Sequence, residues 1–248
     1  MYWEVSSQVR TAASRTPGAE RTVSGTARVL AGAALLGLLA TVVIFAGLHL
    51  VGPSSNISPV HRTISEYALT DSAWAFNLGV LALAGASVAV FAAAVLTTQT
   101  RVVGVGTVFG GLWVIGLLTL VSFPKHNWAL GGAGTSGQIH RLASLVAFLA
   151  LPIAAMAIAR RRGDPTNPPA ARWAFWLAGL SLLWFTPLIL AIVTSPRTWW
   201  QVIPLGLIER GLALTEVLAI LAVALLVRFR TGPSTSSRAT QPARSPST

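Results

Sequence analysis

The polar side chains that could do chemistry in this chain are few, and they gather in short segments between long apolar runs. Residues 52–71 include a histidine, an arginine, a tyrosine and two acids, and residues 123–141 hold two of the four histidines. Glu209 and Arg210 lie at the start of the last apolar run. Imidazole, carboxylate and guanidinium groups support acid–base chemistry, metal ligation and the recognition of oxyanions. These side chains form a candidate site, and their types leave its reaction open.

We expect six of these residues to meet at one outward-opening cleft as a ligand-binding site. They are Arg62, Ser65, Glu66, His140, Glu209 and Arg210. Each lies within a turn or two of the point where its chain segment reaches the same membrane surface, and charged groups lose less on partial desolvation when they pair. The sequence therefore predicts a pocket for a small polar molecule or a lipid head group. The alternative is that the same groups are scattered around the outer rim.

Two further function classes stay open. A membrane-embedded metal-dependent hydrolase would use His140, a second histidine and a carboxylate, because imidazole and carboxylate are suitable zinc ligands. Its candidate ligands are His61, His126, His140, Glu66, Asp71 and Glu209. No pair has the HExxH spacing that fixes two ligands on one helix face, so we assign no cofactor and leave enzyme activity undecided. The third class is a structural subunit that assists a partner through its helix faces.

Glu216 is a separate feature, deep inside the last apolar run. It lies about 18 Å along a helix from Arg228, which places it near the middle of a membrane. A carboxyl group there is costly and normally faces the interior of a helix bundle. We expect it to be buried, with Leu212 and Ile220 on the same face. It is either a group that binds a proton or ligand, or a protonated or hydrogen-bonded glutamate that fixes helix packing.

The composition shows what kind of element must position these residues. Of the 248 residues, 53% are apolar and 10% are charged, and the mean hydropathy is +0.66. This is too little polar surface for a soluble domain. The net charge of +11 comes from short basic segments and not from a stripe with interleaved aromatics, which argues against a nucleic-acid partner. The absence of cysteine excludes disulfides, thiolate metal sites and a cysteine nucleophile.

Six apolar runs are long enough to cross roughly 30 Å of hydrocarbon as helices. They are 29–51, 72–100, 102–124, 142–159, 173–196 and 202–227. The sequence therefore predicts an all-α polytopic six-helix transmembrane bundle over residues 28–230, with disordered tails at 1–27 and 231–248. The short connection at residues 97–101 predicts an antiparallel hairpin of the second and third spans. Pro187 predicts a kink in the fifth span.

The basic residues also predict an orientation. Of the 18 Lys and Arg residues, 13 lie on the side that holds both tails and five lie on the other. Lys and Arg near span ends are retained in the cytoplasm. We therefore expect a multi-pass protein of the cell membrane with both termini cytoplasmic and the candidate site outside. The lipid bilayer is then its surroundings, while the oligomeric state is left open.

Four segments carry a family resemblance: SPVHRTISEYALTDSAW (58–74), SFP (122–124), GQIHRLASLVAFLALPIA (137–154) and GLIERGLAL (206–214). In this order they resemble the uncharacterised six-span membrane family called domain of unknown function 998. The resemblance covers residues 30–228. It implies six spans and a ring of polar residues on the outer side, and it brings no established activity.

The resemblance extends to single residues, with two departures. Phe123 and Pro124 match the family's Phe-Pro element, His140 its histidine at the fourth span, and Glu209 or Arg210 its polar pair before the sixth. The family's Arg-x-x-Ile-Ser stretch is matched loosely, since one residue separates Arg62 from Ile64 before Ser65. Family members often continue Phe-Pro with a Thr-Asp pair, whereas Lys125 and His126 follow here.

Overall fold

The computed structural model of the chain describes residues 17–51, 57–126, 134–160, 168–196 and 199–231. Within these ranges it has seven α-helices, one 3-10 helix and no strand. The α-helices are α1 (Pro17–Leu50), α2 (Ala73–Leu96), α3 (Val105–Ser122), α4 (Gly134–Ala159), α5 (Pro169–Leu183), α6 (Phe185–Thr194) and α7 (Leu205–Arg230). The 3-10 helix, Ile64–Leu69, lies between α1 and α2.

These helices provide six segments that are long and apolar enough to span a membrane, with α5 and α6 together forming the fifth. Large apolar side chains remain on the outside of the bundle, among them Leu36, Val43, Trp176 and Val193. Such a surface is stable in lipid and would aggregate in water. The all-α, six-span, multi-pass membrane fold predicted from the sequence is therefore confirmed.

Two helices begin earlier than the sequence analysis predicts. Helix α1 starts at Pro17, so residues 17–27 are helical and not part of a disordered tail. Helix α4 starts at Gly134, so the last eight residues of the 123–141 segment are helical. Hydropathy marks only the part of a helix that faces hydrocarbon, and a helix continues past it wherever polar residues reach water. The tail predictions for residues 1–16 and 232–248 lie outside the described residues.

Helix α7 holds the centre of the bundle. Each helical hairpin packs together, α1 with α2 and α3 with α4, and α7 packs on α5 as well as on α1, α2 and α4. Helices α2 and α3 are also in contact, as their short connection predicts. Residues of α7 on several sides are buried, including Ala222, Val223, Ala224 and Leu226. Polar groups on this helix are therefore placed inside the molecule or at its ends.

Small residues let the helices approach closely. A Cβ atom on Gly37 of α1 would lie 3.0 Å from the Cβ of Ala86 on α2, and one on Gly110 of α3 would lie 2.9 Å from ring carbons of Phe91. Lipid tails are as apolar as side chains, so close backbone contact is a main source of helix association in membranes. Gly37 and Gly110 therefore allow α2 to pack closely on both α1 and α3.

The fifth span is interrupted at Trp184, between α5 and α6. Pro187 lacks the N–H that would bond the carbonyl of Leu183, so the helix breaks within one turn before it. The sequence predicts a kink at Pro187, and the structure has a break of the helix at Trp184, three residues before it. The indole of Trp184 then lies against α7, where a Cβ on Gly211 would be 2.3 Å from its Cζ2 atom.

We expect Gly110→Ala to destabilise the bundle relative to Gly111→Ala. Both substitutions raise helix propensity by about 1 kcal/mol, but only the first adds a methyl group against the buried Phe91 ring, whereas a Cβ on Gly111 meets nothing within 4 Å. Overpacking of this kind costs about 1–3 kcal/mol. Thermal unfolding of the two variants in the same detergent measures the difference. Equal stability would contradict the α2–α3 contact.

Candidate functional site

Polar side chains gather at the end of the bundle that carries the 3-10 helix. We call this region the polar cap; it comprises residues 57–72, residues 123–126, the last turn of α1 and the first turns of α4 and α7. All six ligand-binding candidates are described residues and lie in it, and the structure divides them into two sets. Arg210, Glu209 and the buried His140 bind backbone groups of the chain itself, while Arg62, Ser65 and Glu66 form a more accessible cluster.

Arg210 ties the segment before the 3-10 helix to α7. Its Nη1 donates to the carbonyl oxygens of Arg62 at 2.6 Å, Pro59 at 2.9 Å and Gly206 at 3.0 Å. These carbonyls belong to a loop and to a first helical turn, so a guanidinium satisfies several acceptors at once. Hydrogen bonds to a charged group contribute about 1.5–3 kcal/mol each. Arg210 therefore holds the loop before the 3-10 helix against α7.

The rest of the Arg210 guanidinium is held by His49 and Tyr67. Its Nε lies 2.6 Å from Nε2 of His49, and its Nη2 lies 3.3 Å from the hydroxyl of fully buried Tyr67. The Nδ1 of His49 is 2.6 Å from the carbonyl oxygen of Phe45. Nδ1 must donate to that carbonyl and Nε2 must accept from arginine, so the contacts require neutral His49 in its Nδ1–H form.

Helix α7 touches the loop backbone at Gly206 and Leu207. The N–H of Leu207 donates to the carbonyl oxygen of Val60 at 3.1 Å. A Cβ on Gly206 would lie 2.3 Å from the carbonyl oxygen of Arg62. Only glycine leaves room for this approach, which brings the Arg62 carbonyl within reach of Arg210.

Glu209 caps the 3-10 helix from a distant part of the chain. Its Oε2 accepts a hydrogen bond from the N–H of Ile64 at 2.7 Å. The residue at the usual capping position, Thr63, makes no side-chain cap bond. The first N–H groups of a helix lack partners within the helix, and a carboxylate is a strong acceptor for one of them. Glu209 and Arg210, adjacent in sequence, thus fix the two ends of one loop.

The accessible cluster centres on Glu66. One of its oxygens lies 3.2 Å from Nζ of Lys125, and the other lies 3.4 Å from Nη1 of Arg62. Lys125 also donates to Oγ1 of Thr63, which lies 3.2 Å from Oγ of Ser65. The side chain of Lys125 is 13% exposed and that of Arg62 is 66% exposed. Two cations therefore share one carboxylate, and one of them faces outward.

His140 reaches the same region through Phe123. The ring is 4% exposed, and its Nδ1 lies 2.9 Å from the carbonyl oxygen of Phe123, two residues before Lys125. Nδ1 therefore donates, and Nε2 has no hydrogen-bond partner among the described residues. His140 therefore fixes the segment that carries Lys125. Its Nε2 remains available as an acceptor.

Sequence reasoning missed four residues of the cap. Thr63 and Lys125 join the cluster, and His49 and Tyr67 hold Arg210. Lys125 carried a signal, because it directly follows the Phe-Pro element in a polar segment, and His49 is a polar residue at a span end. Nothing in the sequence shows that His49 and Arg210 meet, since 161 positions separate them.

The described residues do not assemble the ligand set that a metal-dependent hydrolase would need. No three His, Asp or Glu side chains among them are grouped as metal ligands. Of the candidates, His61 is exposed, and its Nδ1 lies 3.3 Å from Oγ of Ser58. Glu66 pairs with cations, and Glu209 accepts a hydrogen bond from a backbone N–H. Their present partners account for these side chains without a shared ion.

A family model described as a protein of unknown function, DUF998, matches residues 35–226. The chain belongs to the DUF998 family. The match includes every residue of the polar cap, and it confirms the resemblance read from the four sequence segments. Comparison with curated proteins and with solved structures gives no match. In this DUF998 member, the position after Phe-Pro is occupied by Lys125, the cation that meets Glu66.

We expect Arg210→Ala to loosen residues 57–69 without unfolding the bundle. The change removes the bonds to the loop carbonyls and to Tyr67, and each 1.4 kcal/mol lost accelerates amide exchange about tenfold. Hydrogen exchange followed by mass spectrometry of peptides from the cap measures the effect. Arg101→Ala removes the same charge from the loop between α2 and α3 and is the control. Unchanged protection of these amides in Arg210→Ala would contradict the role of Arg210 in holding the loop.

Proposed function

We propose that this DUF998 protein binds a small polar molecule or lipid head group at the polar cap, through an anionic group of that ligand. The observation that carries the proposal is the sharing of Glu66 by Arg62 and Lys125. A carboxylate or phosphate from outside could take the second position beside these cations. Guanidinium and ammonium groups are the usual partners of such oxyanions.

The charge balance of the accessible cluster supports an anionic ligand. Arg62 and Lys125 share Glu66, which leaves one positive charge in excess in this cluster. Arg210 is occupied by backbone carbonyls and His49 and is not part of the cluster. The Arg62–Glu66 contact joins an exposed arginine to a carboxylate that is 20% exposed. Ion pairs near the surface contribute about 0–1 kcal/mol and are easily exchanged. The Arg62 guanidinium can therefore turn to a ligand at little cost.

Hydroxyl groups complete a polar lining suited to a head group or small solute. The hydroxyl oxygens of Thr63 and Ser65 lie 3.2 Å apart beside Lys125. Both hydroxyls can donate or accept a hydrogen bond. Their positions are set by the 3-10 helix, which Glu209 caps and Arg210 holds down. A site fixed in this way loses little conformational entropy when a ligand binds. The carbonyl-binding role of Arg210 thus supports the proposal indirectly.

The proposed orientation places this cap on the outer side of the cell membrane, with both termini in the cytoplasm. Its support is the distribution of Lys and Arg, 13 of 18 of which lie on the opposite side. An outer site would meet solutes from the surroundings or lipid of the outer leaflet. The alternative of a structural subunit predicts a co-purifying protein and no small ligand.

We expect Arg62→Ala and Lys125→Ala each to weaken ligand retention about tenfold or more, because each removes a charge-assisted hydrogen bond of about 1.5–3 kcal/mol. Native mass spectrometry of the purified protein measures the fraction carrying an adduct. Adducts that return after delipidation only with phospholipid identify a head group, and adducts that return with a free carboxylate or phosphate compound identify a solute.

Arg101→Ala is the matched control for these two variants, since it removes a cation from the opposite end of the bundle. It should retain the adduct at the wild-type level. An anionic adduct held equally by all three variants would contradict binding at the polar cap. A stably bound protein in place of any small adduct would favour the structural-subunit alternative.

The orientation has its own test, because the chain contains no cysteine. We expect Asp71→Cys, in the exposed part of the cap, to react with a membrane-impermeant maleimide in intact cells. Val103→Cys, in the loop before α3 with an 84% exposed side chain, should react only after the membrane is opened. The reverse pattern would show that the cap faces the cytoplasm.

A further inference from the structure

Glu216 lies deep inside the bundle, away from the polar cap. It is the twelfth residue of α7, which spans 26 residues from Leu205. At 1.5 Å per residue, it lies about 17 Å from the first residue of the helix and about 21 Å from the last. A hydrocarbon core about 30 Å thick therefore has this carboxyl near its middle.

The carboxyl group of Glu216 makes no hydrogen bond to any described residue. The side chain is 1% exposed, which confirms the burial predicted from the sequence, and neither carboxyl oxygen has a hydrogen-bond partner among the described residues. Leu212, Ile220 and Val223, on the same face of α7, are buried too. Buried polar groups in native proteins are nearly always paired. A glutamate that fixed packing by hydrogen bonding would show an acceptor or donor here, and none is found.

Within the part of the chain that the structure describes, no cation pairs with this carboxyl either. The titratable or charged side chains described on α7 and on the elements packed against it lie near helix ends or in the polar cap. They are Arg28, His49, Glu66, Tyr67, His140, Arg141, Arg172, Glu209, Arg210 and Arg228. Arg28 bonds the carbonyl of Thr231, after the end of α7, and His49 bonds Arg210 near its start. The described ion pairs involve Glu66 and not Glu216.

An unpaired carboxylate is strongly disfavoured in such a place, so the negative charge must be removed. A metal cation would require several further oxygen ligands, and no other polar side chain is bonded to Glu216. A proton needs only the carboxyl itself. We propose that Glu216 is a proton-binding site in the centre of the bundle, holding one proton at neutral pH. This goes beyond the proposed function and does not depend on ligand binding at the cap.

The site has a structural connection to the cap. Glu209 and Glu216 are seven residues apart on α7 and therefore lie on nearly the same face, about 10 Å from each other along the axis. Glu209 bonds the 3-10 helix at one end of this face. A small shift of α7 would change both the cap and the environment of the protonated carboxyl.

Dicyclohexylcarbodiimide, a hydrophobic reagent, tests the proposal in the folded wild-type protein. The proton of a carboxylic acid passes to a carbodiimide nitrogen while the carboxyl oxygen adds to its carbon, and an acyl shift then gives a stable N-acylurea with no leaving group. We expect Glu216 to be modified at neutral pH, located by peptide mass spectrometry, and to lose reactivity as the pH is raised. A water-soluble carbodiimide should not modify it.

Glu216→Gln, a neutral isostere, should lose this modification and keep the thermal stability of the wild type. Asp71→Asn, which removes an exposed carboxyl outside the membrane-spanning helices, is the control and should leave the modification of Glu216 intact. An unreactive Glu216 in the folded wild-type protein would overturn the proposal. Protection by sodium at constant pH would also overturn it, because the site would then bind a metal cation.

Discussion

The guanidinium of Arg210 is the contact on which the candidate site depends. It binds backbone carbonyls of the loop before the 3-10 helix, a carbonyl of its own helix, a histidine of α1 and a buried tyrosine hydroxyl. Without a cation there, several acceptors would lie at the edge of an apolar bundle without donors. Glu209, the next residue back, meets the opposite need by accepting from the N–H of Ile64. Two adjacent residues of opposite charge thus close one end of the molecule.

These contacts change how Glu209 and Arg210, at the start of the last span, are interpreted. An Arg beside a Glu at the start of a membrane span suggests direct ligand recognition, yet both side chains are used by the chain itself. The residues left for a ligand are Arg62, Lys125 and the hydroxyls of Thr63 and Ser65, with Glu66 as an exchangeable counter-ion. The structural pair positions the cluster, and the cluster carries the proposed function.

In this DUF998 protein, the charged groups of the polar cap and the carboxyl of Glu216 in the centre of the bundle differ in whether they have partners. In the cap, the partly buried charged groups are matched by a donor, an acceptor or an opposite charge, so their partial burial is tolerated. They are Glu66, Lys125, Glu209 and Arg210. In the centre of α7, Glu216 has none of these among the described residues. Helix packing by small residues, such as Gly110 against Phe91, needs no polar interaction to hold the helices together. Glu216 is therefore not needed to hold the helices together. Its position in the middle of the membrane favours a functional role.

The sequence by itself determined the solvent and the span count, because helices that cross hydrocarbon need about 20 apolar residues each and leave a strong hydropathy signal. It also identified the burial of Glu216 and the break before Pro187, since both follow from local chemistry within one helix. It missed the early starts of α1 and α4, where polar residues continue a helix beyond the lipid. Only the tertiary structure decided that Arg210 meets His49, that Glu209 caps a helix far away in the chain, and that Lys125 joins Arg62 at Glu66. Those contacts depend on how helices from distant parts of the chain are arranged around α7, and no periodicity or motif in a single segment encodes that arrangement.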